Sequence, residues 1–305
     1  MKKIISDILN EYQIPLSNYE RITSKTTRVS CNNGKCFIIK ESDENVNEKY
    51  KFLSYQHIGN VLYPIKNENG YYISRYNGKA YSLFPFQEDN KLIDEIKMQK
   101  LEDELSMLHM NTYYKKELSP ITSRRKFEEI YEYLKYKFNL IEAFVRTVEE
   151  GIYDEYSILI LKNYHYILNS KKVIERLNKK LIEDVKSKKS VNYSFIHNNP
   201  KLTHLIINDY QNYLISIDKS KIGIPSLDMV KFYIETEDID IDRKEIINEY
   251  FSRYNDSFYF DYFCFFVMLY YIKSITIIEK DFVSSQSFVY ASKALKTFME
   301  MFNLN

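Results

Sequence analysis

Two histidines and an adjacent pair of asparagines, Asn198 and Asn199, stand in the stretch FIHNNPKLTHLIIND (195–209), and Asp218 follows in YLISID. A neutral imidazole can ligate a divalent metal, a carboxylate holds hard cations such as Mg²⁺, and an amide hydrogen-bonds without taking up a proton. Far upstream, CFIIK ends on Lys40, and Glu48 follows in the next segment. In a strand, Lys40 shares a face with Ile38 and Cys36, so its ammonium leaves one sheet surface toward the segment carrying Glu48. A strand lysine fixed by a helix acid is an arrangement that can hold phosphates. The same two residues are equally a solvated lysine at a strand end and an ordinary helix glutamate.

The elements around these residues fall into two unlike halves. From about 19 to 86 the segments TTRVS, NNGKCFIIK, GYYISRY and AYSLFPF are short and turn-bounded, with Asn-Gly pairs at 33–34 and 69–70, which predicts a small antiparallel sheet. One helical segment interrupts it, NVNEKYKFLSYQHIG, with Val46, Tyr50, Leu53 and His57 on one face. Ahead of the sheet, Ile4, Ile5, Ile8 and Leu9 are spaced for an amphipathic helix. From 91 onward the pattern is helical, over 91–112, 123–149, 152–169, 171–187, 226–236, 243–257 and 260–302. The exception is 192–218, where YSFIH, HLIIN and YLISID read as short strands parted by polar turns. The expectation is an α+β chain with a two-lobed, protein kinase-like layout: an antiparallel-sheet N-lobe over 1–86 and a mainly helical C-lobe over 87–305 that contains the 192–218 hairpin.

Composition narrows the partners. With 43 Lys and Arg against 42 Asp and Glu, the chain carries no global field to recruit nucleic acid or an anionic membrane. The most apolar run, YFCFFVMLYYI (262–272), is too short to cross a bilayer and reads as a buried helix. Three cysteines without metal-type spacing argue against a secreted disulfide framework, and MKKIISDILNEY lacks a signal-peptide core, so a reducing cytoplasm is expected. The basic stretch 171–189 has interleaved acids and an apolar side, which is a solvated amphipathic helix, and the acids of 235–245 lack EF-hand spacing. In SRRKF (123–127), Arg124 and Arg125 open a helix where they could meet an anion or simply face water.

The core FIHNNPKLTHLIINDYQNYLISIDKSKIGIPSLDMVKFY (195–233) resembles the aminoglycoside phosphotransferase and choline kinase superfamily, including the bacterial spore-coat kinase-like proteins. In that family a strand delivers His-Gly-Asp, an Asn opens a hairpin, and an Ile-Asp pair follows, then Gly-x-Pro and Asp-Leu. Here His197 matches the histidine, Asn198 replaces the glycine, Asn199 stands at the catalytic aspartate's place, and His204 replaces the metal-binding asparagine. Asp218 matches the metal-binding aspartate, and Gly223, Pro225 and Asp228 are kept. LSMLHMNT (105–112) is similar to the family's Leu-His-x-x-Thr helix end, and YSLFPF, with Leu83, Phe84 and Phe86, to its inter-lobe hinge.

The resemblance implies ATP and Mg²⁺ as cofactors, with Lys40, Glu48, Leu83, Phe84 and Phe86 on the nucleotide and Asp218 and His204 on the metal. It also implies a rewritten catalytic loop. A carboxylate at 199 would take the acceptor hydroxyl's proton, which an amide cannot, and losing a general base costs about 10²- to 10⁴-fold in rate. The stretch matching the phosphate-covering loop, RITSKTTRVS (21–30), contains no glycine and reads better as a plain hairpin. The expected function is a catalytically impaired, pseudokinase-like binding or structural component, of the spore-coat type or with a protein partner. The alternative is an active ATP-dependent phosphotransferase on a small hydroxylated metabolite or an aminoglycoside-like acceptor.

Overall fold

A computed structural model of the chain describes residues 2–304 apart from 33, 118, 278 and 280. The fold is α+β and kinase-like: a five-stranded antiparallel sheet comes first, and the remainder is mostly helical. Helix α1 (Lys2–Asn10) leads into strands β1 (Leu16–Arg21), β2 (Thr26–Cys31) and β3 (Cys36–Ser42), then helix α2 (Val46–Tyr55), strands β4 (Ser74–Tyr76) and β5 (Lys79–Pro85), and helix α3 (Asp94–Asn111). The sheet runs β1-β2-β3-β5-β4. Its registers align Thr26, Lys40 and Ser82 in one row and Arg28, Ile38 and Phe84 in another. Alternation sends the intervening Val29, Ile39 and Leu83 to the opposite face. There they form one apolar cluster with Ile5, Ile8 and Leu9 of α1.

Turn chemistry refines the sequence reading. The hairpin that joins β4 to β5 turns on Asn77 and Gly78, both at positive φ (+49° and +73°), the two-residue turn whose twist suits paired strands. The pair at 69–70 instead closes a loop turn, where Gly70 donates its amide to Asn67 at 2.8 Å. Of the pair at 33–34, Asn33 lies outside the described residues and Gly34 takes φ +79°. On α2, Val46, Tyr50 and Leu53 are buried together, but the helix stops before His57, which sits exposed at φ +54°.

The chain continues through β6 (Tyr114–Glu117), α4 (Pro120–Glu150), α5 (Glu155–Ser187), β7 (Ser190–Ile196), β8 (Leu205–Ile207), β9 (Asn212–Leu214), β10 (Lys221–Gly223), α6 (Ser226–Glu235), α7 (Arg243–Ser252), α8 (Phe258–Ser274) and α9 (Phe282–Met301). By packing it forms two compact units: Met1–Tyr113 with Ser194–Gly223, and Tyr114–Tyr193 with Ile224–Asn305. The sheet, α3 and the 194–223 segment therefore share one unit.

In the other unit, α5 packs against α4, α8 and α9. The break expected near 170 does not occur: Ser170 keeps its place in α5 by donating to the Ile167 carbonyl at 2.8 Å. Asp154 and Ser157 start α5 with a reciprocal capping box. The long helix expected over 260–302 is two, and α9 restarts where Asp281 accepts from the Ser284 amide at 2.8 Å. Helix α8 is buried nearly all round, and Phe263 meets Tyr233, Phe298 and Phe302 edge-on or tilted. Among the described residues no helix is long and apolar enough to cross a membrane.

Candidate functional site

The first unit holds a cavity of about 250 Å³ lined mainly by Ile38, Leu62, Phe84, Phe86, Ile206 and Ile215, with Lys40 and Ser216 at its polar end. That is below the ~300–1,000 Å³ of drug-sized pockets, so it suits one planar heterocycle. Each wall is pinned by backbone bonds. The Val61–Leu214 bridge, with Leu62 N–H bonding Leu214 O at 3.0 Å, carries Leu62 to the cavity, and Asn60 and Asn212 both donate to the buried Glu104 carboxylate at 2.9 Å. Opposite, the Asp89 carboxylate accepts from the Ile207 amide at 2.8 Å, and the Asn90 amide bonds Ile207 O at 2.7 Å. The Arg28 guanidinium lies 4.3 Å over the Phe86 ring.

Strand parity decides which hinge residues face this cavity. Phe84 and Phe86 line it, whereas Leu83 points to the other sheet face and is sealed into the α1 cluster. Its side chain therefore does not line the cavity where the sequence reading expected a nucleotide, and its carbonyl already accepts from the Ile65 amide at 2.7 Å.

At the polar end, the Lys40 ammonium bonds the Asp218 carboxylate directly and donates to Ser216 Oγ at 3.2 Å. Ser216 makes this possible by adopting φ +64°, which turns the chain between β9 and Asp218. Glu48 is not part of this group. It faces solvent, 71 % exposed, and pairs with Lys51 at 3.0 Å and Asn47 Nδ2 at 2.9 Å; those bonds hold its carboxyl below the usual range. The α2 residue that reaches Asp218 is Lys49, whose ammonium donates to the Asp218 carbonyl and whose pKa is lowered by partial burial. Sequence reading missed Lys49, although helical spacing contained the signal. At ~100° per residue, Lys49 lies about 70° from the centre of the Val46, Tyr50, Leu53 stripe, and Glu48 about 170° from it.

The loop after β7 is tied down by its own polar side chains. His197, fully buried, bonds the Ile215 carbonyl through Nε2 at 2.8 Å, so Nε2 carries the proton. His204 bonds the Asn199 carbonyl through Nδ1 at 2.8 Å, which makes Nε2 the ring's lone-pair nitrogen when neutral. The two rings are tilted with centroids 5.7 Å apart. Asn198 sits at φ +60° and donates to the Lys219 carbonyl at 2.9 Å. A left-handed residue is needed there, and asparagine is the side chain that tolerates it best after glycine. Strand β10 closes against β7 so tightly that a Cβ on Gly223 would come within 2.7 Å of the Ile196 δ1 methyl.

The β1–β2 turn is a plain hairpin with the amides of Ile22, Thr23 and Lys25 already used. Ile22 and Thr23 N–H both bond Thr26 O, and Lys25 N–H bonds Thr23 Oγ1 at 3.2 Å. The Arg21 side chain takes the Thr23 and Ser24 carbonyls. Elsewhere, Arg124 and Arg125 each pair with a glutamate one turn along α4.

A nucleobase fits the cavity, because its lining is apolar and faces a lysine. A resident divalent metal fits less well. The described residues contain no group of three or more His, Cys, Asp or Glu side chains able to hold one, and the Asp218 carboxylate is engaged by Lys40.

No protein-family model matches the sequence, and a search of curated proteins finds no match. Solved structures do match over nearly the whole chain. An aminoglycoside phosphotransferase from Alicyclobacillus acidocaldarius superposes with a TM-score of 0.65 at 8% identity, covering 98% of this chain and 94% of that one. A thermostable mutant of the aminoglycoside phosphotransferase APH(4)-Ia gives 0.53 at 8% identity, covering 98% of both. Spectinomycin phosphotransferase APH(9)-Ia, in complex with ADP and spectinomycin, gives 0.51 at 13% identity, covering 98% and 96%. At these identities the likeness is one of fold: the chain has the kinase-like fold of the aminoglycoside phosphotransferases.

Proposed function

We propose that this protein binds an adenine nucleotide in the cavity beside Lys40 and serves as a binding component with impaired phosphoryl transfer. The observation that carries the reading is the apolar, base-sized cavity ending on Lys40 and Ser216, with Asp218 held against that lysine. Phe84 and Phe86 would flank the base, and Lys40 would meet the phosphates. ADP in the spectinomycin phosphotransferase complex supports the nucleotide class.

Impairment rests on the loop. Asn199 has no carboxylate to take a proton from an acceptor hydroxyl, and its carbonyl is engaged by His204. Asp218 and His204 stand where the resemblance puts the metal ligands, but with Asp218 engaged by Lys40 they fit a resident divalent ion poorly. This chain's own residues orient the base, place Lys40 and keep the loop in register. The active alternative, transfer to a small hydroxylated acceptor, is favoured by one observation, the retained Lys40–Asp218 contact.

Thermal denaturation with ATP, ADP and adenosine tests the reading. Binding should raise the melting temperature, and Lys40→Ala should remove the excess shift of ATP over adenosine. No shift with millimolar ATP, with or without Mg²⁺, would refute nucleotide binding. Turnover of about 1 s⁻¹ or more, in the range of working kinases, would refute impairment.

A further inference from the structure

Resting on the nucleotide reading above, we infer that Lys49 takes the place of a metal cation in this site, so that ATP is bound without a divalent ion. Two ammonium groups converge on one acidic residue: Lys40 on the Asp218 carboxylate and Lys49 on the Asp218 carbonyl. The acid that would offset the second lysine, Glu48, points to solvent and is spent on Lys51. Asp43 also acts on Lys49, so the two lysines face the carboxylates of Asp218 and Asp43, and a polyanion would be met by the two ammonium groups directly.

The phosphates' other sources of stabilisation are closed. The β1–β2 turn spends the amides of Ile22, Thr23 and Lys25 on itself, so those three are not offered to an anion. Phosphate charge must then be met by side chains. A divalent cation brought to Asp218 would have to displace Lys40 from the carboxylate and would sit beside Lys49, an arrangement like-charge repulsion disfavours. Lys49 does not line the cavity itself but is joined to its Lys40 end through Asp218, and from there its ammonium would meet a triphosphate without an ion to bridge it. Half-burial strengthens that contact, because the ammonium has already lost part of its water.

Calorimetric titration of the full chain with ATP, in EDTA and in excess Mg²⁺, tests this, with adenosine as the probe that lacks phosphate. The wild type should bind ATP in EDTA within about threefold of its affinity in Mg²⁺. Lys49→Ala should weaken ATP binding in EDTA by about 10- to 100-fold, the range of a lost charge-assisted hydrogen bond, and leave adenosine unchanged. Mg²⁺ should recover much of that loss in the variant. Lys49→Gln, which keeps the side chain's length without its charge, should behave like the alanine variant and guards against a packing defect. Wild-type binding that requires Mg²⁺ would overturn the inference while leaving the nucleotide reading intact. An equal loss in both buffers would overturn it too, and absence of ATP binding in either buffer would overturn both.

Discussion

The sheet wall of the cavity and the loop at 197–204 have kept different things. On the sheet, side chains face the cavity: Ile38, Lys40, Phe84 and Phe86 present an apolar slot ending in a cation. In the loop, polar side chains have turned inward to hold backbone. His197 grips the Ile215 carbonyl, His204 the Asn199 carbonyl and Asn198 the Lys219 carbonyl. A loop of this fold can thus hold its shape by hydrogen bonds with an amide at position 199. Shape and chemistry at one site are separable.

Returning chemistry to the loop is the sharpest way to break that contrast. Asn199→Asp, with His204→Asn beside it if needed, should raise ATP turnover by about 10²- to 10⁴-fold in a coupled assay. A folded variant that binds ATP and shows no gain would mean that the sheet wall too has lost its productive geometry. Next in size is a pair on β3. Ile39→Ala, opening a hole in the α1 cluster, should cost about 2–5 kcal/mol in urea denaturation without altering ATP affinity. Ile38→Ala, on the partly exposed cavity face, should cost less stability and weaken ATP binding. Equal effects from the two would erase the distinction between the faces.

A smaller effect separates conformation from chemistry at Asn198. Asn198→Ala should lose about 1–2 kcal/mol, because it gives up the bond to the Lys219 carbonyl and the amide that makes φ +60° tolerable, whereas Asn198→Gly loses the same bond but sheds the Cβ and should cost less. The smallest concerns Glu48. Glu48→Ala should leave stability nearly unchanged and ATP affinity unaltered, since the Lys51 pair is exposed. A large loss of ATP binding there would restore the lysine–glutamate arrangement expected from sequence.

Much of the architecture was legible because it rests on periodicity. Alternation in CFIIK and AYSLFPF marks the sheet, and the Val46, Tyr50, Leu53 spacing marks the buried stripe of α2. Helix ends were less legible, because they depend on single caps such as Asp281 and on a serine, Ser170, that bonds within the helix. At the site, a motif match picks a residue type and cannot see its direction. Glu48 had the right charge on the wrong side of α2, and Leu83 the right segment with the wrong parity. Lys49 matched no motif; only its angle on the helix pointed to Asp218.

Gly223 has a further consequence. Ile196, fully buried, lies immediately before His197, and its δ1 methyl occupies the volume that a side chain at 223 would need. Any larger residue would first have to displace the δ1 end of the Ile196 side chain, which adjoins the buried imidazole in sequence. The spacing of the two strands is thus set by an atom the protein leaves out. That gap acts as a gauge block for the loop, and one added methyl would miscalibrate it without touching a single residue of the site.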